Sequence, residues 1–369
     1  MVAHRKGRKA SSTQQNRMFE ILAAAALITA QPLVDEDVLE PSVQNEVDHA
    51  LSLAAADTVP VSEESVAFAA LYATNGMPAT ARAIALVSSQ KEGRWTHAGR
   101  DVTPAACRML RKVSGVPEPP LKLSVFSDHV ETVAKQERIP FAEAAAKVRG
   151  LGIDGIDITS IPDDRLAEAK ALGFSVACVV GWPKFEKGYD EAACSTLIER
   201  ARTNGCSRIL LVPGFYPEGC DIDQTRKAIL ERTNRFAAEA ARFGVETLVE
   251  DFDDARSPTY GRARTAAFLA DAPSVGFVYD TGNFNNPGEC AEDGLALLPR
   301  VRHFHFKDRP SPGSAESVAV GSGVVPFGKI GPAALDAGYG GWFTIEHFGV
   351  TNMLESIEKS VRFLRSQRF

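Results

Sequence analysis

Three short apolar runs in the second half of the chain each stop at a carboxylate. Thr247-Leu248-Val249 ends at Glu250, Phe277-Val278-Tyr279 at Asp280, and Phe343-Thr344-Ile345 at Glu346. A fourth run, Arg302–Asp308, carries His303 and His305. Carboxylates that converge repel and raise one another's pKa, a cost that a bound cation removes. Three oxygen donors with one imidazole suit a divalent ion such as Mg, Mn, Co or Zn, and not a structural thiolate site. His303 and His305 lie two apart and share a strand face, so alternation alone leaves both eligible. His305 is nearer the C-terminal end of its run and is the expected ligand.

Side chains so far apart in sequence meet only if their runs are parallel strands whose C-terminal ends open on one mouth. Beyond Gly115-Val116-Pro117-Glu118-Pro119-Pro120, which interrupts helix, short apolar runs alternate with longer amphipathic ones. Strands are expected at Leu121–Phe126, Gly155–Ile158, Phe174–Val180, Arg208–Val212, Glu246–Glu250, Val275–Asp280, Val301–Phe306 and Trp342–Glu346. Helices are expected at Phe141–Arg149, Arg165–Ala171, Glu191–Thr203, Asp223–Phe243, Arg262–Ala270, Cys290–Leu298, Ile330–Ala337 and Met353–Ser366. Gly150, Gly173, Gly205 and Gly244 stand where a left-handed C-cap is wanted. Eight strand–helix units predict an α/β fold, a (β/α)8 TIM barrel over residues 119–369. No GxGxxG follows the first strand, which argues against a dinucleotide-binding sheet.

The preceding region is different in kind. Residues 1–16 form a basic arm expected to be disordered, and residues 17–118 are alanine-rich and predict a small all-helical domain of unknown role. Within it, Lys91–Arg100 reads as a polar loop. Ile21–Ala30 has the outline of a signal peptide, but its polar lead-in is long and Glu20 abuts a weakly hydrophobic run, so export is disfavoured. The run is also too short to span a bilayer, which takes about 20 residues. Six cysteines are scattered without a CxxC pair, consistent with reduced packing residues of a cytoplasmic protein. A net charge of -6 gives no general attraction to nucleic acid, and 44% apolar content allows a sizeable core. Neither nucleic acid nor membrane is expected as a partner, and a homo-oligomer remains compatible with the sequence.

Five segments together carry a resemblance. Val249-Glu250-Asp251, Tyr279–Phe284, His303–Asp308, Val320–Phe327 and Thr344-Ile345-Glu346 occur in the order and approximate spacing of the sugar phosphate isomerase/epimerase family. These are xylose isomerase-like TIM barrels of the AP endonuclease family 2 type, and the resemblance runs from about residue 120 to 369. It implies that Glu250, Asp280, His305 and Glu346 bind the metal, and that Glu250 and Glu346 also exchange protons with a small carbohydrate substrate through an enediolate. It also implies an alternative, a dehydratase similar to the dehydroshikimate dehydratases. A nuclease of the endonuclease IV branch would need additional histidines, and a non-catalytic sugar-binding protein would not need all four ligands.

Familiar ketose 3-epimerases of this family carry a histidine three residues after the metal aspartate and a glutamate six after the first metal glutamate. Here those positions hold Asn283 and Arg256. Asn283 can still hydrogen-bond a hydroxyl. Arg256, Lys307 and Arg309 can instead favour a carboxylate or phosphate, or be salt-bridged, with Asp308 a ready partner for Lys307. Gly321 and Gly323 suggest a loop passing close to substrate, or an ordinary turn. Trp182 can wall a pocket against a sugar's C–H face, or pack in the core.

Overall fold

The computed structural model describes residues 96–97, 100–101, 120–284 and 289–367. The chain divides into two compact units, the second comprising Pro120–Ala334 and Tyr339–Phe369. In the first unit the expected helices, the basic arm and the signal-like run lie outside the described residues. Where a polar loop was expected over Lys91–Arg100, Thr96–His97 and Arg100–Asp101 instead pair as two short antiparallel strands, the second ending one residue past that stretch.

The second unit is a closed barrel of eight parallel strands. They are β1 (Lys122–Phe126), β2 (Gly155–Ile158), β3 (Ser175–Gly181), β4 (Arg208–Leu211), β5 (Glu246–Glu250), β6 (Gly276–Asp280), β7 (Val301–Lys307) and β8 (Trp342–Glu346), and β8 pairs with β1 to close the ring. Around it run α1 (Ser127–Glu137), α2 (Phe141–Gly150), α3 (Asp163–Ala171), α4 (Glu191–Thr203), α5 (Ile222–Ala241), α6 (Gly261–Asp271), α7 (Phe327–Asp336) and α8 (Met353–Ser366). Every expected strand is present to within a residue or so at either end.

Two elements differ from expectation. Helix α1 starts on the residue after β1 and buries little beyond Val130, Val133 and His129, so its sequence lacks a long apolar stripe. The segment after β6 is a 3₁₀ helix, Ala291–Arg300, containing Pro299. A proline removes an amide donor and restrains its predecessor, which disfavours a regular α-helix there. Gly173, Gly205 and Gly244 adopt the positive φ angles of left-handed caps, whereas after α2 this role passes from Gly150 to Gly152.

Strands in such a barrel are buried on both faces, and their alternation separates two environments. On β7, Phe304 and Phe306 face the helices and pack tilted against Phe343 at ring distances of 5.2 and 4.8 Å. Each buried phenylalanine contributes roughly 1.5–3 kcal/mol relative to exposure. The alternate residues His303, His305 and Lys307 therefore face the barrel interior. Below the mouth, Phe126, Cys178, Val180, Leu210, Leu248 and Val278 form a buried apolar cluster.

Candidate active site

Strand register sets the site. Asp280 lies opposite His305 on neighbouring strands, and Lys307 lies opposite Glu346. Glu250, Asp280, His305 and Glu346 each place one donor atom so that all lie within 4.8 Å of one another, and all four residues are buried. His305 Nδ1 is 2.5 Å from Glu250 Oε1 and 3.1 Å from Glu346 Oε2. Lys307 Nζ stands 2.8 Å from Glu346 Oε1 and 3.2 Å from Asp280 Oδ2.

Charges this crowded control one another's protons. Burial raises the Asp280 and Glu250 carboxyls, and the nearby cations Lys307 and His305 only partly oppose it. Burial also pushes Glu346 upward, but Lys307 and His305 outweigh it and hold that carboxyl well below the usual range. Burial disfavours the His305 cation, yet Glu250, Asp157 and Glu346 hold its pKa well above the ordinary value. The donor set fits a divalent cation: three oxygens and one imidazole nitrogen converge, and an ion would replace the proton between His305 Nδ1 and the glutamates.

The cluster opens on a cavity of about 370 Å³. Glu250, His305 and Glu346 line it, whereas Asp280 is fully buried behind them. Strands β1, β3 and β4 supply an apolar wall of Phe126, Val180 and Leu210, and Asp128, Thr159 and Ser160 lie beside it. Trp182 and Phe348 stand at the wall with 48% and 46% exposure.

The other expected contacts divide sharply. Lys307 and Asn283 line the cavity. Asn283 donates to the Asp251 carbonyl and accepts from Lys307 at 3.1 Å, so its amide is held at both ends. Arg309 is buried and lies outside the lining. It donates to the carbonyls of Gly282 and Ala315 and is paired with Asp253 at 3.0 Å. Arg256 is 67% exposed, paired with Asp254 at 2.5 Å, and also outside the lining.

Asp308, adjacent to Lys307, serves a loop instead of that lysine. Its carboxylate accepts from the backbone N–H groups of Arg309, Gly321, Gly323 and Val325. Gly321 has φ +87°, and a Cβ on Gly323 would lie 2.1 Å from the Arg309 carbonyl oxygen. These glycines let the loop close on Asp308, and neither lines the cavity.

Beneath the four donors lies a second group that the strand-end reasoning missed. Asp157 on β2 is fully buried, with Oδ2 2.7 Å from His303 Nε2 and 3.3 Å from His305 Nε2. Thr344 Oγ1 is 3.2 Å from the same oxygen and 2.6 Å from Ser124 Oγ. An ionisable residue inside a short apolar strand was the available signal.

None of the curated protein sequences matches the chain. Solved structures share its fold at low identity. The probable 3-DHS dehydratase AsbF of Bacillus anthracis is 17% identical with a TM-score of 0.56, covering 67% of this chain and 100% of that one. D-psicose 3-epimerase with D-tagatose, from Clostridium cellulolyticum H10, is 18% identical with a TM-score of 0.53, covering 66% and 98%. The IOLI protein with a bound zinc atom is 15% identical with a TM-score of 0.54, covering 68% and 99%. Residues 145–367 match the sequence model of one family over more than half of the chain. With the closed eight-stranded barrel, that match identifies the chain as a member of the xylose isomerase-like TIM barrel family.

Proposed function

We propose that the protein is a divalent-metal-dependent isomerase or epimerase of an uncharged polyhydroxy carbonyl compound, such as a ketose or inosose. The observation that carries this reading is that Glu250 and Glu346 belong to the four-donor cluster and also line the cavity. Two carboxylates so placed can reach both a cation and a substrate carbon.

A divalent ion held by Glu250, Asp280, His305 and Glu346 would polarise a carbonyl and its neighbouring hydroxyl and acidify the C–H bond between them. One glutamate removes that proton and the other returns one, in general acid–base catalysis. Asp280, fully buried and outside the lining, and His305 would serve as ligands without exchanging a proton with substrate carbon. Phe126, Val180 and Leu210 exclude water from the reacting centre, which strengthens every charge interaction there.

The cations argue for an uncharged substrate. Lys307 is paired with Asp280 and Glu346, Arg309 with Asp253, and Arg256 with Asp254 away from the cavity. An incoming carboxylate or phosphate would have to displace one of these carboxylates while facing Asp128 and Asp253 on the lining. Trp182 offers an apolar ring to the C–H face of a sugar. D-psicose 3-epimerase, named for a free ketose, shares the barrel and adds support.

Lys307 also supports a second reading. An ammonium on the cavity wall beside Glu346 can hydrogen-bond a departing hydroxyl, so a proton abstraction followed by elimination suits the same residues. The test is to incubate the metal-loaded protein in deuterated water with a panel of ketoses, inososes and keto acids. Deuterium at the carbon beside the carbonyl, without loss of water, supports isomerisation. Elimination products replace it with the dehydratase, and turnover confined to the keto acids refutes the uncharged substrate.

A further inference from the structure

The imidazole of His305 has two nitrogens and faces two different carboxylate groups. Nδ1 points to Glu250 and Glu346, and Nε2 points down the barrel to Asp157. A histidine can offer a lone pair at Nδ1 only when its remaining proton sits on Nε2, and that tautomer needs an acceptor there.

We propose that Asp157 is the positioning residue of the metal centre, a carboxylate that fixes His305 as the Nε2–H tautomer with its Nδ1 lone pair aimed among Glu250, Asp280 and Glu346. The proposal rests on the four-donor reading of the site. It assigns Asp157 no contact with substrate and no bond to the ion.

The acceptor is itself immobilised. One oxygen, Asp157 Oδ2, lies within reach of His303 Nε2, His305 Nε2 and the Thr344 hydroxyl, at 2.7, 3.3 and 3.2 Å. One arrangement of protons is consistent with these three contacts and with the 2.9 Å approach of Thr344 Oγ1 to His303 Nε2. The Ser124 hydroxyl donates to Thr344 Oγ1, and Thr344 donates to Asp157. His303 donates from Nε2, which leaves its Nδ1 as an acceptor with no hydrogen-bond partner among the described residues. His305 then adds the third donation to the oxygen. The register explains the convergence: Ser124 pairs with both Gly155 of β2 and Thr344 of β8, which brings the three strands together one layer below the mouth. From the side, the Phe126 ring meets His305 edge-on at 4.9 Å and limits its rotation.

Asp157, His303 and His305 also satisfy the spacing of a possible ligand group, so an ion of their own is the competing interpretation. The short Asp157–His303 contact and the full burial of both residues favour direct hydrogen bonding over coordination.

Three measurements on the full chain test the assignment. Calorimetric titration with Mn²⁺ should show one ion per chain, with Asp157→Asn binding about 10- to 100-fold more weakly, the usual effect of removing an outer carboxylate from a ligating histidine. Ser124→Ala disturbs the same network without touching His305, and it should leave Mn²⁺ affinity within about two-fold. In the Mg²⁺-loaded wild type, histidine-selective ¹⁵N NMR should assign His305 a protonated Nε2 and an unprotonated Nδ1, a readout that stands even if Asp157→Asn does not fold. Equal affinity in Asp157→Asn, two ions per chain, or a proton on Nδ1 overturns the positioning role. Failure of the wild type to bind Mn²⁺ at all removes the metal centre and the proposal together.

Discussion

Strands β5, β6 and β8 end in Glu250, Asp280 and Glu346, and β7 carries His305 and Lys307, whereas β1–β4 end in Phe126, Ile158, Gly181 and Leu211. One half of the barrel concentrates charge at the mouth, and the other supplies an apolar wall of Phe126, Val180 and Leu210 edged by Asp128, Thr159 and Ser160. In the proposed function, the cavity of about 370 Å³ between them would let a polar substrate present its reacting end to the charged half, away from bulk water. Asp157 bridges the division, an acid from the apolar half that reaches under His305. If the halves do separate chemistry from binding, changes in the charged half should lower kcat and changes in the wall should mainly raise KM.

The largest effect is expected from Glu346→Gln or Glu250→Gln, which should each reduce kcat by roughly 10³-fold or more, since in the proposed mechanism each is both a proton carrier and a charged metal donor. Circular dichroism should stay native, because the amide is isosteric with the acid. Near-normal turnover in either variant would dissolve the two-glutamate mechanism. Next comes Asp280→Asn, which tests the metal without touching the cavity wall. Saturating Mn²⁺ should stabilise the wild type, by about 2.7 kcal/mol at 100 times its Kd, and the variant much less. An equal rise in melting temperature for both would remove Asp280 from the ligand set.

Much of this division was legible in the sequence, because β5, β6 and β8 each end an apolar run on a carboxylate. That signal is strong where a buried strand cannot otherwise tolerate an acid. It failed for Asp157, whose run Gly155–Ile158 is only four residues long and gave no sign of which way the carboxyl pointed. The roles of the cations were also hidden, since Arg256, Lys307 and Arg309 look alike until their partners are known. Strand register decides that Lys307 meets Glu346, and loop closure decides that Asp308 serves backbone amides. The first 119 residues differ again, having alanine-rich composition and no alternating apolar pattern to fix a topology.

The seam between the halves should be acid-sensitive. His129 of α1 stacks on His347 at 5.4 Å, and its Nε2 accepts the His347 backbone N–H at 3.0 Å. Protonation destroys that acceptor, and burial, reinforced by His347, lowers the His129 pKa to about 3. An unfolded histidine titrates near 6.5, so between those values the unfolded chain binds the extra proton and the folded chain does not. The stabilising contribution is present above pH 6.5 and is lost as pH falls toward 3. By pH 5 the loss is about 2 kcal/mol for His129 alone, to be measured as a lower urea midpoint than at pH 7.5. His129→Gln should roughly halve that slope, because burial also holds His347 low, at about 4, and an unchanged slope would place the acid sensitivity elsewhere.

A smaller effect is expected at the wall. Trp182 is 48% exposed, so Trp182→Ala should leave the barrel folded while raising KM about 5- to 10-fold with kcat nearly constant. A fall in kcat alone would mean that the wall shares in the chemistry, and the two-halves division would not hold.

The smallest effect is expected at Arg256, and it is informative for that reason. Position alone made this arginine a candidate substrate contact, six residues beyond Glu250. Its guanidinium instead pairs with Asp254 on an exposed surface, outside the cavity lining. Exposed ion pairs of this kind contribute little, because water and salt screen both charges. Arg256→Ala should therefore change kcat/KM by less than about a factor of two for the substrate found in the deuterium panel. A ten-fold loss confined to KM would show that Arg256 releases Asp254 and swings over the mouth when substrate binds. The loop after β5, which already brings Asp253 to the lining, would then supply a cation as well, and the case for an uncharged substrate would have to be reopened.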